Sequence, residues 1–426
     1  MSSPGLKTVT LGCKVNQYET EYVREGLLSA GYVDVADEEI ADLCVVNTCT
    51  VTSSGDSKSR QAIRQLARYN PGTRIVVMGC YATRAAEEVA SLPGVVEVIT
   101  DKRELPELLR RFGVIDIPTG VSGLGQRHRA YVKVQDGCLL RCSFCIIPKV
   151  RPNMYSRPLR EILTEVQRLV DRGYREVVLT GVHLGHYGVD FNRGKPKKSW
   201  TRLSHLLRAV VTLPGDFRVR LSSIEATEVT HELLDVFAEF PQRVCPHLHI
   251  SMQSGSDAVL RRMNRRWGSE RFVDRCRLVQ SVLDEPALTT DIIVGFPGET
   301  ESEFTQTCDV AREIGFSKMH VFPFSARRGT PAATMAGQLP KKVKQRRVRL
   351  LSQLETELKT QYIQSLTGRQ LQVLVEGRSR TDPKHMTGTS CRYLPVAFAG
   401  GEDLISNFCS VIVTSSQQSG AIGEMA

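Results

Sequence analysis

Three cysteines stand in the run Gly137-Cys138-Leu-Leu-Arg-Cys142-Ser-Phe-Cys145. A cubane iron–sulfur cluster takes four thiolates. Three in one loop, with no local fourth, point to a [4Fe–4S] cluster with one iron left open. An open coordination position separates a reactive metal site from a closed structural one, by the logic known for zinc. Zinc itself prefers paired C-x₂-C units with a second pair downstream, and no such pair follows. Core packing by small hydrophobic thiols needs no such spacing.

A second set is dispersed. Cys13 follows Thr8-Val-Thr-Leu-Gly12, Cys49 follows Cys44-Val-Val-Asn-Thr48, and Cys80 follows Ile75-Val-Val-Met-Gly79. Each preceding run is short and apolar, the pattern of a buried strand. Helical patterns come next, over Glu19 to Ser29, Ser57 to Tyr69 and Thr83 to Ser91. Three strand-then-helix units predict a parallel α/β sheet. All its strands end on one edge, where ligands bind. The three cysteines are therefore expected to meet there and hold a second cluster. Cys44, at a strand start, reads as core. Cys245, Cys276, Cys308, Cys391 and Cys409 show no ligand spacing and read as packing.

The elements that must position the first set form a longer βα series. Strand-like runs are expected at 131–135, 176–180, 218–222, 247–250, 290–294 and 318–322. Helices are expected at 159–171, 229–240, 270–283 and 302–314. Six units predict a complete or partial (β/α) barrel, with its site at the C-terminal strand ends. Gly181, His183, Ser223, Glu225, Gln253, Ser254, Gly295, Phe296 and Pro297 fall at those ends. The candidate cofactor-binding residues are Gly181, Ser223, Glu225 and Gln253, with Phe144 inside the cysteine run. The turn Gly295-Phe-Pro-Gly298 either brings backbone close to a cofactor or is a tight loop. The stretch 116–129 reads as a linker. Strands over 370–376, 393–398 and 407–413 predict a small C-terminal β-barrel. The small, polar tail from Ser415 is expected to fray. The whole reads as an α/β chain of three domains, 5–115, 130–365 and 366–415.

The chain has 426 residues and a net charge of +10. Residues 1–115 sum to −2, residues 116–365 to +12, and residues 366–426 to zero. The central excess concentrates in Arg261-Arg262-Met-Asn-Arg265-Arg266, in Lys195-Pro-Lys197-Lys198 and in the run 341–349. Such clusters form phosphate footprints, or they are solvated helix faces. The run 341–349 opens an amphipathic helix with Leu350, Leu351, Leu354 and Leu358 opposite. Twelve cysteines are too sparse for a disulfide scaffold and fit a reducing cytosol. No signal pattern or membrane-length apolar run occurs, so a soluble cytoplasmic protein is expected.

The C-x₃-C-x₂-C run resembles that of radical S-adenosylmethionine (SAM) enzymes. Leu11-Gly-Cys-Lys-Val-Asn-Gln-Tyr-Glu19, Val46-Asn-Thr-Cys49, Met78-Gly-Cys80, the run from His247 to Asp257 and the run from Thr290 to Thr300 resemble the methylthiotransferase family over nearly the whole chain. The Cys-Lys-Val-Asn-Gln-Tyr form looks most like the branch acting on N6-threonylcarbamoyladenosine in tRNA. The resemblance implies an N-terminal methylthiotransferase domain, a radical SAM partial barrel and a TRAM-like barrel. It implies that Cys138, Cys142 and Cys145 hold the SAM-binding [4Fe–4S] cluster. Cys13, Cys49 and Cys80 would hold an auxiliary [4Fe–4S] cluster that carries the sulfur to be transferred. The implied reaction places a methylthio group on C2 of the adenine at position 37, beside the anticodon. The implied partners are the tRNA anticodon loop, an electron donor such as flavodoxin or ferredoxin, and a sulfur source; no membrane is implied. The loop from Phe324 to Thr330 lacks the prolines often seen in the family. The third segment is charge-neutral, so the RNA-anchoring role shifts partly to the central basic region, with Arg265 and Arg266 as phosphate contacts. Arg327 or Arg328 is the expected cation for the substrate's carboxylate.

Three other functions compete. Two share the chemistry but act on isopentenyladenosine in tRNA or on a ribosomal-protein aspartate. The third is a non-enzymatic, metal-bearing RNA-binding protein.

Overall fold

The computed structural model describes every residue except 1–2, 37, 126, 380–381 and 418–419. The N-terminal strands are β1 (Gly5–Thr10), β2 (Val33–Asp34), β3 (Leu43–Thr48), β4 (Arg74–Gly79) and β5 (Val95–Val98). They pair in parallel in the order β2-β1-β3-β4-β5. Every residue of β3 is buried, as a central strand covered on both faces requires. Helix Lys14–Ser29 starts immediately after Cys13, earlier than expected. Helix Ser53–Tyr69 is capped by the Thr52 hydroxyl, which accepts from the Gly55 amide. The third expected helix is broken into Cys80–Arg84 and Ala86–Ala90.

The central strands are β6 (Arg129–Asp136), β7 (Tyr155–Ser156), β8 (Glu176–Gly181), β9 (Arg218–Leu221), β10 (Ser223–Ile224), β11 (His247–Ile250), β12 (Ala287–Val294) and β13 (Lys318–Pro323). They form two four-stranded sheets, β7-β6-β8-β9 and β10-β11-β12-β13. Ser222 carries the chain from one to the other, and a parallel bridge joins Val219 to Val244. The result is a six-stranded parallel arc, a partial barrel, with β7 an antiparallel addition on β6. Leu248, Ile250, Leu288 and Ile292 enter the main core beneath the outer helices. Strand alternation turns His247, His249, Thr289 and Asp291 to the inside. Helix Lys14–Ser29 packs on β6, and helix Lys341–Ser365 packs on β13.

The C-terminal strands are β14 (Gln370–Arg378), β15 (His385–Ser390), β16 (Pro395–Ala399), β17 (Phe408–Gln417) and β18 (Gly420–Met425). They close into a barrel in the order β14-β15-β16-β18-β17. The tail expected to fray instead continues β17 and supplies β18. That strand pairs with both β16 and β17, and Ala421 is fully buried. Partner backbone, not side-chain pattern, makes it a strand.

This barrel is bolted to the central arc by buried arginines. Arg218 and Arg220 both pair with Glu176. Arg218 donates to the Gln372 and Thr389 carbonyls, and Arg220 to those of Ser390 and Cys391. Burial alone would raise the Glu176 carboxyl, but the two guanidiniums hold it far below the usual carboxylate range.

The stretch 116–129 is not a loose connector. Val121 and Leu124 are buried, the Val121 amide donates to Glu165, and the Ser122 amide donates to Glu25. No helix among the described residues is long and apolar enough to cross a membrane.

The reading of the basic run 341–349 is corrected. In helix Lys341–Ser365, Arg347 is buried and paired with Glu299 at 2.6 Å. Lys344 lies over the Phe324 ring and against Gly295. Much of that run therefore holds the helix to the barrel, and it makes the Gly295 turn a packed loop. Leu350 is exposed, while Leu351, Leu354 and Leu358 are buried.

Candidate active site

The loop after β6 carries the clustered cysteines. Cys138 Sγ lies 3.6 Å from His183 Nδ1. Cys142 Sγ accepts from Arg265 Nη1 at 3.4 Å. Arg265 also clasps the Glu225 carboxylate with both terminal nitrogens and stacks its guanidinium over Trp267 at 4.7 Å. Its side chain is only 3% exposed. Arg265 is therefore part of this site, and the expectation of a phosphate contact there is wrong. Nothing in its charge run marks it out; the signal is Glu225, forty residues earlier at another strand end. Arg266, its neighbour, stays exposed.

A cavity of about 150 Å³ opens beside the three thiols. Phe144, Ser223, Glu225 and Gln253 line it together with Cys138, Cys142 and Cys145. Gly181 does not. A Cβ there would meet Gln135 Oε1 at 3.0 Å and Leu184 Cα at 3.2 Å, so Gly181 serves close packing. Burial, reinforced by Cys142 and Cys138, pushes the Cys145 thiol up to about 12. Burial opposes charge on His183, but hydrogen bonds to Cys138 and Glu228 outweigh it and push the imidazole up to about 10.

The dispersed cysteines meet at the sheet edge as expected. β1, β3 and β4 end two, zero and zero residues before Cys13, Cys49 and Cys80. A Cβ on Gly12 would sit 3.2 Å from Cys49 Sγ and 3.0 Å from its Cβ. Gly79, at φ +100°, brings its backbone against Thr48, where a Cβ would lie 2.4 Å from the Thr48 nitrogen and oxygen. These glycines let the Cys13 and Cys80 loops close on Cys49. Burial raises the Cys49 thiol, and Cys80 and Cys13 add to the rise. Asn16 ties the loops, donating to the Leu11 and Thr48 carbonyls.

One residue links the two halves. Arg151, just past the clustered cysteines, donates from Nε to Cys80 Sγ at 3.3 Å. It also pairs with Glu19 at 2.7 Å and Asp136 at 2.9 Å and reaches Asn16 Oδ1 at 3.1 Å. Arg327 makes a second link, to Asp56 at 2.7 Å and to the Thr50 hydroxyl. The chemistry of the donor sets fits iron–sulfur clusters. Each site has three converging thiols, no fourth among the described residues, and a cation held against one sulfur. Metal binding would release the protons that burial retains.

Residues 132–311 match the Radical SAM superfamily, and residues 6–101 match Uncharacterized protein family UPF0004. A Bacillus subtilis protein, threonylcarbamoyladenosine tRNA methylthiotransferase MtaB, is 39% identical over 94% of this chain and 92% of its own. Its Chlamydia pneumoniae namesake is 38% identical over 98% and 97%. The tRNA-2-methylthio-N(6)-dimethylallyladenosine synthase of Carboxydothermus hydrogenoformans is 32% identical over 97% of each. This chain belongs to the radical SAM tRNA methylthiotransferases. As a methylthiotransferase it uses S-adenosylmethionine and [4Fe–4S] clusters. The fold agrees with solved radical SAM structures. The Kitasatospora setae methyltransferase TsrM superposes with a TM-score of 0.58 at 15% identity, covering 78% of this chain and 75% of that one. The cobalamin-dependent enzyme OxsB gives 0.52 at 12% identity, covering 83% and 56%.

Proposed function

We propose that this methylthiotransferase acts on C2 of N6-threonylcarbamoyladenosine at position 37 of tRNA. The observation that carries the reading is full-length similarity, through all three parts of the chain, to enzymes named for that nucleoside. Cys138, Cys142 and Cys145 hold the cluster that binds SAM, and Cys13, Cys49 and Cys80 hold the auxiliary one. When bound, these groups supply the electron, the radical, the sulfur and the methyl group. The chain's own residues orient and enclose them. His183 and Arg265 fix the Cys138 and Cys142 sulfurs, and Glu225 fixes Arg265. Phe144, Ser223 and Gln253 shape the space beside the thiols, where the cofactor would be held. An electron donor such as flavodoxin or ferredoxin, and a sulfur source, complete the reaction in the cytoplasm.

Position 37 lies in a single-stranded loop, where splaying out a base costs little. With Arg265 and Arg347 committed to carboxylates, the exposed lysines Lys195, Lys197 and Lys198 become the anchor for tRNA phosphates. They lie in the long connection after β8, past His183 and His186, and no ion pair occupies them among the described residues. Changing all three to glutamate is expected to weaken tRNA binding by roughly 10-fold or more. It should also flatten the slope of log Kd against log salt by about 2, through lost counterion release. An unchanged slope in a titration from low to moderate salt refutes that anchor.

Nucleoside mass spectrometry of tRNA from a strain lacking the protein tests the substrate. The 2-methylthio derivative of threonylcarbamoyladenosine should vanish and the unmethylthiolated nucleoside should accumulate. Loss of the dimethylallyl methylthio nucleoside, or a changed ribosomal-protein mass with unchanged tRNA, overturns the reading.

A further inference from the structure

The hydrogen bonds of Arg265 are divided unevenly. Its Nη1 donates to Cys142 Sγ at 3.4 Å and to Glu225 Oε1 at 3.0 Å. Its Nη2 donates to Glu225 Oε2 and, at 3.2 Å, to the Ser251 carbonyl. The remaining donor, on Nε, is buried and has no partner among the described residues. Arg265 borders the cavity beside the three thiols. Buried N–H groups are nearly always paired, so this one is kept for an acceptor that the loaded site brings.

The guanidinium is mounted rigidly. Trp267 lies against it at 4.7 Å and donates its Nε1 to the same Glu225 carboxylate at 3.2 Å. The turn that carries Arg265 is tied to the cysteine loop twice. Asn264 Nδ2 donates to the Arg141 carbonyl at 2.7 Å, and the Ser143 amide donates to the Met263 carbonyl at 2.9 Å. These two bonds flank Cys142 on either side. A charge that is never lost is thus fixed to the backbone around that sulfur. His183 also reaches a cluster cysteine, 3.6 Å from Cys138, but the charge of an imidazole depends on a proton.

We infer that Arg265 is a positioning residue that sets the reduction potential of the SAM-binding cluster by holding a positive charge against the Cys142 sulfur, with Glu225 as the counter-charge that limits the effect. The inference rests on the reading above that Cys138, Cys142 and Cys145 hold that cluster. Reduction adds one negative charge to the site. A cation fixed beside it favours the more negative state, and hydrogen bonds to the sulfurs are among the known determinants of cluster potential. The external carrier is oxidised by one electron as the cluster is reduced by one. Arg265 leaves that count unchanged and shifts where the balance lies. It acts through Cys142 and touches no reacting atom.

The test is a potentiometric titration of the full-length, cluster-reconstituted protein without SAM, followed by electron paramagnetic resonance. The signal to follow is the one that SAM alters in a separate sample. Arg265→Met should shift the redox equilibrium of this cluster toward the oxidised form by roughly 10- to 100-fold, the size of other effects around metal ligands. At 59 mV per tenfold for one electron, the midpoint falls by about 60–120 mV. Arg265→Lys keeps the charge and should lie between that variant and wild type. Glu225→Gln keeps an acceptor but removes the counter-charge, so its midpoint should rise. The other cluster should not move. An unchanged midpoint in Arg265→Met overturns the inference; if SAM then binds more weakly, the guanidinium serves the cofactor's carboxylate instead. A midpoint that falls in Glu225→Gln as well reveals a merely structural role and also overturns it. Should Arg265→Met fail to load this cluster, Glu225→Gln decides alone: a raised midpoint supports the inference, and an unchanged or lowered one overturns it. If wild type shows no signal that SAM alters, the cluster reading fails, an outcome distinct from any at Arg265.

Discussion

Cys142→Ala is expected to cut reductive cleavage of SAM by more than about 100-fold while leaving the auxiliary cluster in place. Even outer-shell partners of a metal ligand are worth about 10- to 100-fold, and here the ligand itself goes. The loss should be local. Cys142 lies on the loop after β6 and is tied to Arg265 and Glu225, none of which belongs to the N-terminal sheet. Cys49→Ala should do the converse. It follows β3 and faces Cys13 across Gly12, so SAM cleavage should persist while sulfur insertion stops. The readouts are 5′-deoxyadenosine under dithionite, iron per chain and methylthio nucleoside. Iron should fall from about eight to about four in both variants. Continued 5′-deoxyadenosine formation by Cys142→Ala, or methylthiolation by Cys49→Ala, would show that the two sets do not hold separate clusters.

Arg151→Leu should damage both halves at once. The side chain is 3% exposed and satisfies Glu19, Asp136, Asn16 and Cys80 together. Without it, two carboxylates remain buried with Lys133 as their shared cation. Breaking a buried charge network from one side costs about 3–5 kcal/mol. A lower urea midpoint at unchanged m-value should report the loss. The auxiliary cluster should also load poorly, because Cys80 loses its neighbouring cation. Arg151→Lys is the control. It keeps one charge but cannot span four acceptors, so it should recover only part of the stability. An unchanged midpoint in Arg151→Leu would mean that the glycine-lined sheet edge, not this network, holds the halves together.

Much of this was legible in the sequence because metal chemistry and strand burial leave local marks. Three apolar runs, each ending near a cysteine, predicted the sheet edge on which Cys13, Cys49 and Cys80 meet. The barrel strands followed from the same rule. What stayed hidden depends on pairing at a distance. Arg265, Arg327 and Arg347 look like members of ordinary basic runs, yet each is buried against a carboxylate from another element. β18, with its Gly-Ala-Ile-Gly-Glu-Met sequence, has no alternating pattern and is a strand only because β16 and β17 offer it edges.

The attachment of the C-terminal barrel has an evolutionary consequence. Arg218 and Arg220 grip main-chain carbonyls of residues 372 and 389–391 and touch few side chains there, the Gln372 amide and the Phe408 and Tyr393 rings. A joint read through the backbone is indifferent to most substitutions in the module it holds. The outer face of that module is therefore free to drift in charge, or to be exchanged for a relative's, without loosening the joint. Swapped modules that keep the β14–β15 register should dock on the same two arginines, so this barrel can change while the radical chemistry stays untouched.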